Sequence, residues 1–533
     1  MKKKFLSVLL FSFVFQSVTS GQITPAERGL QAITPDALKS QLGFLASDWT
    51  EGRMAGEKGE LISADYIASL LQLSGVKPGG DLLRTVNLTN TPEISERSYF
   101  QTFILLKTIP GEEQVLRLKS IDGQLIKTSS FTYNVDFTLK APSSSVEIEA
   151  PVVFTGYGFK NDRLKYNDIG KTDLKGKFIL IVSGVPTFAR GQITQAEIYS
   201  ADRELEKMAR DAGAVGIIEF NPNEKVVGNP ARKDFSNMSP SEGIPRPFGT
   251  NAVYSVPGKK NADNLLRITV SAKTANEILS GSGIDIEDYI KKADTNTPYS
   301  FSPIIGKSII LKSACTTSSV AVRNVIGIIE GTNPDEVIVL GAHYDHLGMS
   351  NGYIWNGADD NGSGTVGVLT VAKAIMATGK KPGKTIIVAL WTAEEEGLLG
   401  SRYYVQNLSY PLKNLKLNVN FDMISRYVNN EEPDKVTMTY TSSCTGFKDL
   451  TVSNLRKYGI DLIVDYQPSP DPPGGTDHRS FVAAGVPIMR FKPGHREEYH
   501  TPYDELSTVN WDIMEKIIKI SFINIWDLAN SKW

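Results

Sequence analysis

Val337-Ile338-Val339-Leu340-Gly341-Ala342-His343 is the stretch whose reading decides the fold. Val337 to Leu340 show no polar alternation, which is how a strand buried on both faces reads. The runs Ile386 to Leu390, Leu417 to Phe421 and Val486 to Phe491 have the same texture. Between the first two lies Thr365 to Thr378, a helical stretch of small and apolar residues. This β-α-β-α order predicts an α/β fold, with a mostly parallel mixed sheet flanked by helices on both faces. His343 follows the first strand, Glu394 and Glu395 follow the second, and Asp422 follows the third. All would stand at the carboxyl ends of parallel strands, where open α/β sheets place their ligands.

All five histidines lie between residues 343 and 500. Three of them, His343, His346 and His500, fall in an ordered series of acid- and imidazole-bearing segments. These are Gly341-Ala342-His343-Tyr344-Asp345-His346, Asn356-Gly357-Ala358-Asp359-Asp360-Asn361, Thr392-Ala393-Glu394-Glu395-Glu396-Gly397, Asn420-Phe421-Asp422-Met423 and Tyr499-His500-Thr501. A pair of divalent ions needs such a set: nitrogen and oxygen donors, one carboxylate to bridge, and one free carboxylate to move protons.

The 533 residues are too many for one ordinary core, so two or three domains are expected. With 41% hydrophobic and 22% charged residues the composition is that of a soluble globular protein. A formal net charge of −2 gives no electrostatic reason to expect nucleic acid or an acidic membrane surface as partner. Lys2, Lys3 and Lys4 precede the apolar run Phe5 to Phe15, which is too short to span a bilayer. Val18 and Ser20 fit a small-residue cleavage pattern, so residues 1–20 are expected to be a signal peptide and the protein secreted or periplasmic. No later apolar stretch is long enough to anchor it in a membrane after cleavage. Cys315 and Cys444 are the only cysteines, and an exported chain could pair them.

Residues 36–78 read as helical, with Ala64, Ile67, Ala68 and Leu71 on one face and a stop at Gly75. From about 146 to 298 short strand-like runs dominate: Val152 to Phe154, Phe178 to Val182 and Val215 to Phe220. No histidine lies among them. This texture is expected of a separate domain inserted into the catalytic one. The expected division is 21–145 and 299–533 for the main domain and 146–298 for the insert.

The ordered segments resemble those of the M28 family of co-catalytic zinc peptidases, which includes secreted bacterial aminopeptidases. The likeness runs from His343-x-Asp345 through Gly357-Ala-Asp-Asp-Asn361, Glu394-Glu-x-Gly397 and Asp422-Met423 to His500-Thr501, and covers roughly residues 318 to 530. Phe44-Leu-Ala-Ser-Asp-Trp-Thr-Glu-Gly-Arg53 resembles the N-terminal part of the same fold. Asp173-Leu-Lys-Gly-Lys-Phe-Ile-Leu-Ile181 and Asp211-Ala-Gly-Ala-Val-Gly-Ile217 resemble a protease-associated (PA) domain.

The resemblance implies a zinc-exopeptidase, phosphorylase/hydrolase-like fold and two Zn²⁺ ions. Asp359 would bridge them, with a cis peptide bond to Asp360. His343 and Asp422 would hold one ion, Glu395 and His500 the other. Glu394 would be the general base on a zinc-bound water, since it sits one residue before a ligand. Asp345 would accept the ring N–H of His343 and fix its tautomer. His346 is expected to pack or hydrogen-bond, and Glu396 and His495 to have no ligand role. Gly474-Gly-Thr-Asp-His-Arg-Ser-Phe481 resembles a family loop near the substrate pocket, in which Asp477 and His478 would cap a helix and order the loop, direct catalysis by either staying open as the alternative. A neighbouring tyrosine, Tyr344, Tyr499 or Tyr503, would add to the oxyanion site. The implied activity is removal of N-terminal residues from peptide or protein substrates. A carboxypeptidase or dipeptidase on the same site, a glutaminyl cyclase-like acyltransferase and an inactive binding protein stay open as alternatives. Oligomeric state is not legible.

Overall fold

The computed structural model describes residues 23–83, 96–222, 252–258 and 265–533, apart from 141, 143, 171, 194, 300, 351, 428–430, 495 and 497. The expected signal peptide and His495 therefore lie outside the described residues.

One large mixed sheet runs through the molecule. Its order begins Ile463–Ser469, Lys435–Thr441, Ile488–Lys492, Leu415–Asn420, Asn333–His343, Lys384–Trp391 and Lys307–Ile329. It continues through Val146–Phe154, Phe178–Val182, Gly216–Phe220, Leu266–Val270 and Phe137–Leu139. Ile488–Lys492, Leu415–Asn420, Asn333–His343 and Lys384–Trp391 are mutually parallel neighbours. These are the four strands anticipated from their unbroken apolar texture. Ile338 and Leu340 enter one core, while Val337 and Val339 enter another on the opposite face. Alternate residues of Lys384–Trp391 divide the same way, so both faces are covered. Helices Pro35–Leu45, Lys58–Leu73, Gly364–Ala377 and Trp511–Asn530 fill the first face; Leu399–Gln406 and His478–Ala483 cover the second.

The stretch 36–78 is not one helical region. Pro35–Leu45 and Lys58–Leu73 are separated by an irregular turn at Asp48–Arg53, in which Glu51, Gly52 and Arg53 take positive φ. Thr50 Oγ turns back onto the carbonyls of Leu45 (2.9 Å) and Ser47 (2.8 Å), ending the first helix. The face predicted for Ala64, Ile67, Ala68 and Leu71 is buried as a set.

The paired strands Phe100–Asp122 and Lys307–Ile329 join the two halves of the sheet. Residues 325–329 of the second pair with Lys384–Trp391, and residues 308–313 pair with Val146–Phe154. A separate core forms around the latter end. It takes Leu116, Leu118, Phe131 and Phe137 from before residue 146, and Ile309 and Leu311 from after 298. The second unit is thus wider than the 146–298 segment, because strands that start in the first half run on into it. Cys315 and Cys444 are both free thiols. Among the described residues, no helix is long and apolar enough to cross a membrane.

Candidate metal centre

The carboxyl ends of the parallel strands gather the segments singled out in the sequence. His343 ends its strand, Glu394 and Glu395 follow Lys384–Trp391, and Asp422 follows Leu415–Asn420. The turn Ala358–Ser363 and the segment around His500 close over the same edge. His343 Nε2 lies 3.4 Å from Asp360 Oδ1 and 3.7 Å from Asp422 Oδ1. His500 Nε2 lies 3.0 Å from Asp360 Oδ2 and 3.3 Å from Glu395 Oε2. One ligand atom each from His343, Asp360 and Glu395 fall within 4.8 Å of one another. Asp360 therefore turns one oxygen to His343 and the other to His500.

Asp359 does not hold that place. Its Oδ1 accepts Ser425 N (2.9 Å), Ser425 Oγ (2.7 Å) and Ser363 Oγ (3.3 Å), and its Oδ2 points toward Arg426 Nε at 4.0 Å. The expectation of Asp359 between the imidazoles is corrected by one residue, and so is the cis peptide, which joins Asp360 to Asn361. The reason is how the turn is held. Asp504 accepts the amides of both Asp359 and Asp360 at 2.9 Å, and Arg426 Nη2 donates to the same carboxylate at 2.9 Å. With both amides fixed below, the two side chains leave on opposite sides. Asp504 and Arg426 carry no sequence signal: nothing in their spacing separates them from solvated charges.

Asp345 meets His343 differently from expectation. The ring Nδ1 is 3.3 Å from the Asp345 backbone carbonyl and 3.7 Å from its carboxylate. The carboxylate instead accepts the amides of Glu394 (3.1 Å) and Glu395 (3.2 Å), which sets the turn bearing both acids. Glu394 Oε2 is 4.0 Å from His343 Nε2. His346 Nδ1 is 2.9 Å from Glu395 Oε1 and orients that carboxylate.

Of the tyrosines, Tyr344 is fully buried with its hydroxyl on Glu60 and on Arg323 O (2.6 Å), away from the acids. The Tyr499 ring stacks on His500 at 3.8 Å between centroids. Asp477 precedes helix His478–Ala483 without capping it; its carboxylate is fully buried with neither oxygen hydrogen-bonded. His478 does order the loop, with Nε2 3.2 Å from Pro473 O. Glu396 makes no ligand-like approach, and burial lifts its carboxyl to about 8. Backbone strain is concentrated here: Arg53, Ala393, Met423 and His500 all take positive φ without being glycine.

The electrostatics fit a cation site. Burial by itself would raise Asp360 and Glu395, but His343 and His500 hold Asp360 well below the usual carboxylate range, and His500 and His346 hold Glu395 at about 2. Burial would lower the imidazoles, yet the facing acids raise His343 well above its ordinary value and His500 to about 10. Burial lifts Glu394 well above the usual range, against the pull of His343. So many carboxylates in a dry pocket are costly without compensating positive charge. His500 Nε2 is buried between an oxygen of Asp360 and an oxygen of Glu395. Two imidazoles and carboxylate oxygens are donors that zinc accepts.

Residues 324–523 match the profile of Peptidase family M28. Leucine aminopeptidase 2 of Arthroderma otae is 34% identical over 319 residues, 59% of this chain and 50% of that protein. The glutamate carboxypeptidase 2 homolog of Caenorhabditis elegans is 26% identical over 469 residues, 77% of this chain and 58% of that protein. The chain spans between about a third and just over half the length of the curated relatives it matches. Among solved structures, a zinc aminopeptidase from Bacillus subtilis superposes with a TM-score of 0.55 at 20% identity, covering 94% of this chain and 97% of that one. The α/β fold is shared with that structure. The span matched to that family, residues 324–523, carries His343, Asp360, Glu394, Glu395, Asp422 and His500.

Proposed function

We propose that the chain is a two-zinc metallopeptidase that removes N-terminal residues from peptides. The observation that carries this reading is the Asp360 carboxylate, with one oxygen facing His343 and the other facing His500. His343 and Asp422 would hold one ion, His500 and Glu395 the other, and Asp360 would bridge. Zinc bound there supplies Lewis acidity toward a scissile carbonyl and makes water a stronger acid.

The side chains do the rest. Glu394 stands beside this set, 4.0 Å from His343 Nε2, and is not needed as a ligand. It takes the proton of the attacking water and delivers it to the departing amine. Asp345 holds the Glu394 and Glu395 amides, and His346 holds Glu395, so the acids are oriented before substrate arrives. The buried pocket strengthens each of these interactions by excluding water.

The preference for the N-terminal end rests on the family and on the leucine aminopeptidases it resembles. The likeness to a glutamate carboxypeptidase 2 homolog over 77% of this chain keeps a carboxypeptidase as the second reading. In the same proposal residues 1–20 are an export signal, the product is secreted or periplasmic, and residues 146–298 with their flanking strands are a protease-associated domain. Zinc stoichiometry, measured together with hydrolysis of N-blocked and C-blocked peptides, tests it. Two zinc ions per chain and loss of cleavage on N-blocking are expected. Cleavage of N-blocked but not C-blocked peptides would establish the carboxypeptidase instead.

A further inference from the structure

Arg53 lies far outside the family-matched span, in the turn between two N-terminal helices, yet its guanidinium is fully buried beneath the acids. Nε donates to Tyr344 O (2.7 Å), Nη1 to Leu45 O and to Asn356 O (2.7 Å), and Nη2 to Gly357 O (3.0 Å). Its own carbonyl accepts His346 N at 3.2 Å. Tyr344 and His346 bracket Asp345 in the loop after His343; Asn356 and Gly357 lead into the turn that bears Asp360. One planar fork thus fixes the distance between the two loops that supply facing donors. No carboxylate pairs directly with it; among the described residues its hydrogen bonds all go to backbone carbonyls.

The neighbouring residues hold the same geometry. A Cβ on Gly52 (φ 67°) would fall 2.4 Å from Gly348 O and 2.7 Å from Trp355 O, so the turn is pressed against the base of the hairpin Gly348–Ser350/Tyr353–Trp355 that joins the two loops. Asn356 Nδ2 donates to Asp48 Oδ1 (2.8 Å) and to Glu505 Oε1 (2.9 Å), which ties the turn to the segment after His500. Leu45 closes a helix, so the guanidinium also meets the negative end of that helix dipole.

We infer that Arg53 is a positioning residue for the metal centre, setting the separation of His343 from Asp360 through four backbone carbonyls. The inference rests on the two-zinc reading above. A lysine keeps the charge but has no planar fork and cannot reproduce the arrangement.

The test uses the full-length protein and its Arg53→Lys and Arg53→Met variants. Zinc affinity is read by competition with a chromophoric chelator, beside the thermal midpoint of chelator-treated protein. Leu528→Ala, a core truncation in the C-terminal helix near the opposite strand ends, serves as a destabilised control. Arg53→Met is expected to need about 10–100-fold more free zinc than wild type, and Arg53→Lys about 10-fold more. Leu528→Ala is expected to bind zinc as wild type does. If Arg53→Met does not fold, Arg53→Lys decides. Wild-type zinc affinity in the folded Arg53 variants, or an equal loss in Leu528→Ala, overturns the inference and leaves the metal reading standing. A wild-type protein that binds no zinc ends both.

Discussion

Asp504 accepts the backbone amide of Asp360 at 2.9 Å with one oxygen, while its other oxygen takes the amide of Asp359. That pair of bonds decides which of two adjacent aspartates faces the imidazoles. Burial holds the Asp504 carboxyl up at about 7, and Arg426 offsets part of that cost. Asp504→Asn keeps the shape but offers one acceptor for two amides. Zinc affinity should fall about 10–100-fold, with a lower thermal midpoint, in equilibrium dialysis and calorimetry. Unchanged zinc binding would mean the turn holds itself.

The exchange of roles between the two aspartates gives a sharper comparison. Asp360→Asn should empty both zinc positions and cost at least about 10³-fold in activity. Asp359→Asn should keep two zinc ions but lose about 1–3 kcal/mol of stability, because its oxygen accepts three buried hydrogen bonds. Metal analysis beside urea unfolding separates them. The reverse pattern would restore Asp359 as the shared ligand.

Glu394→Gln removes the proton acceptor without changing shape. Two zinc ions should remain, and kcat should fall about 10²–10⁴-fold with little change in KM. Loss of metal in this variant would place Glu394 among the ligands.

His478 provides a pH signature of the fold. Burial, reinforced by Arg490, lowers its imidazole to about 3 from an ordinary 6.5. Between those values the unfolded chain holds a proton that the native protein does not. Stability therefore rises with pH across this window and is lost on acidification, by at most about 1.4 kcal/mol per pH unit from this group. His478→Gln should flatten the pH dependence of the urea midpoint below pH 6.5. Identical slopes for variant and wild type would show that His478 is not held neutral.

Much of the half that carries His343 and Asp422 was legible in the sequence. Val337 to Leu340 and Ile386 to Leu390 read as two-faced strands because neither side of them meets water, and the cores on both sides bear this out. The extent of the second core was harder to read, since the strands Phe100–Asp122 and Lys307–Ile329 run between both cores and leave no composition break where one ends. The interruption at Asp48–Arg53 is less legible: Gly52 weakens a helix and permits a left-handed backbone, but Glu51 and Arg53 adopt it only in the tertiary setting.

By itself the sequence determined the strand-end placement of His343, Glu394, Glu395 and Asp422, since hydrophobic periodicity and chain order suffice for that. Only the tertiary structure chose Asp360 over Asp359, drew in Asp504 and Arg426, and brought Arg53 beneath the acids. Those outcomes depend on hydrogen bonds between segments up to hundreds of residues apart, and local propensity carries no record of a partner that distant.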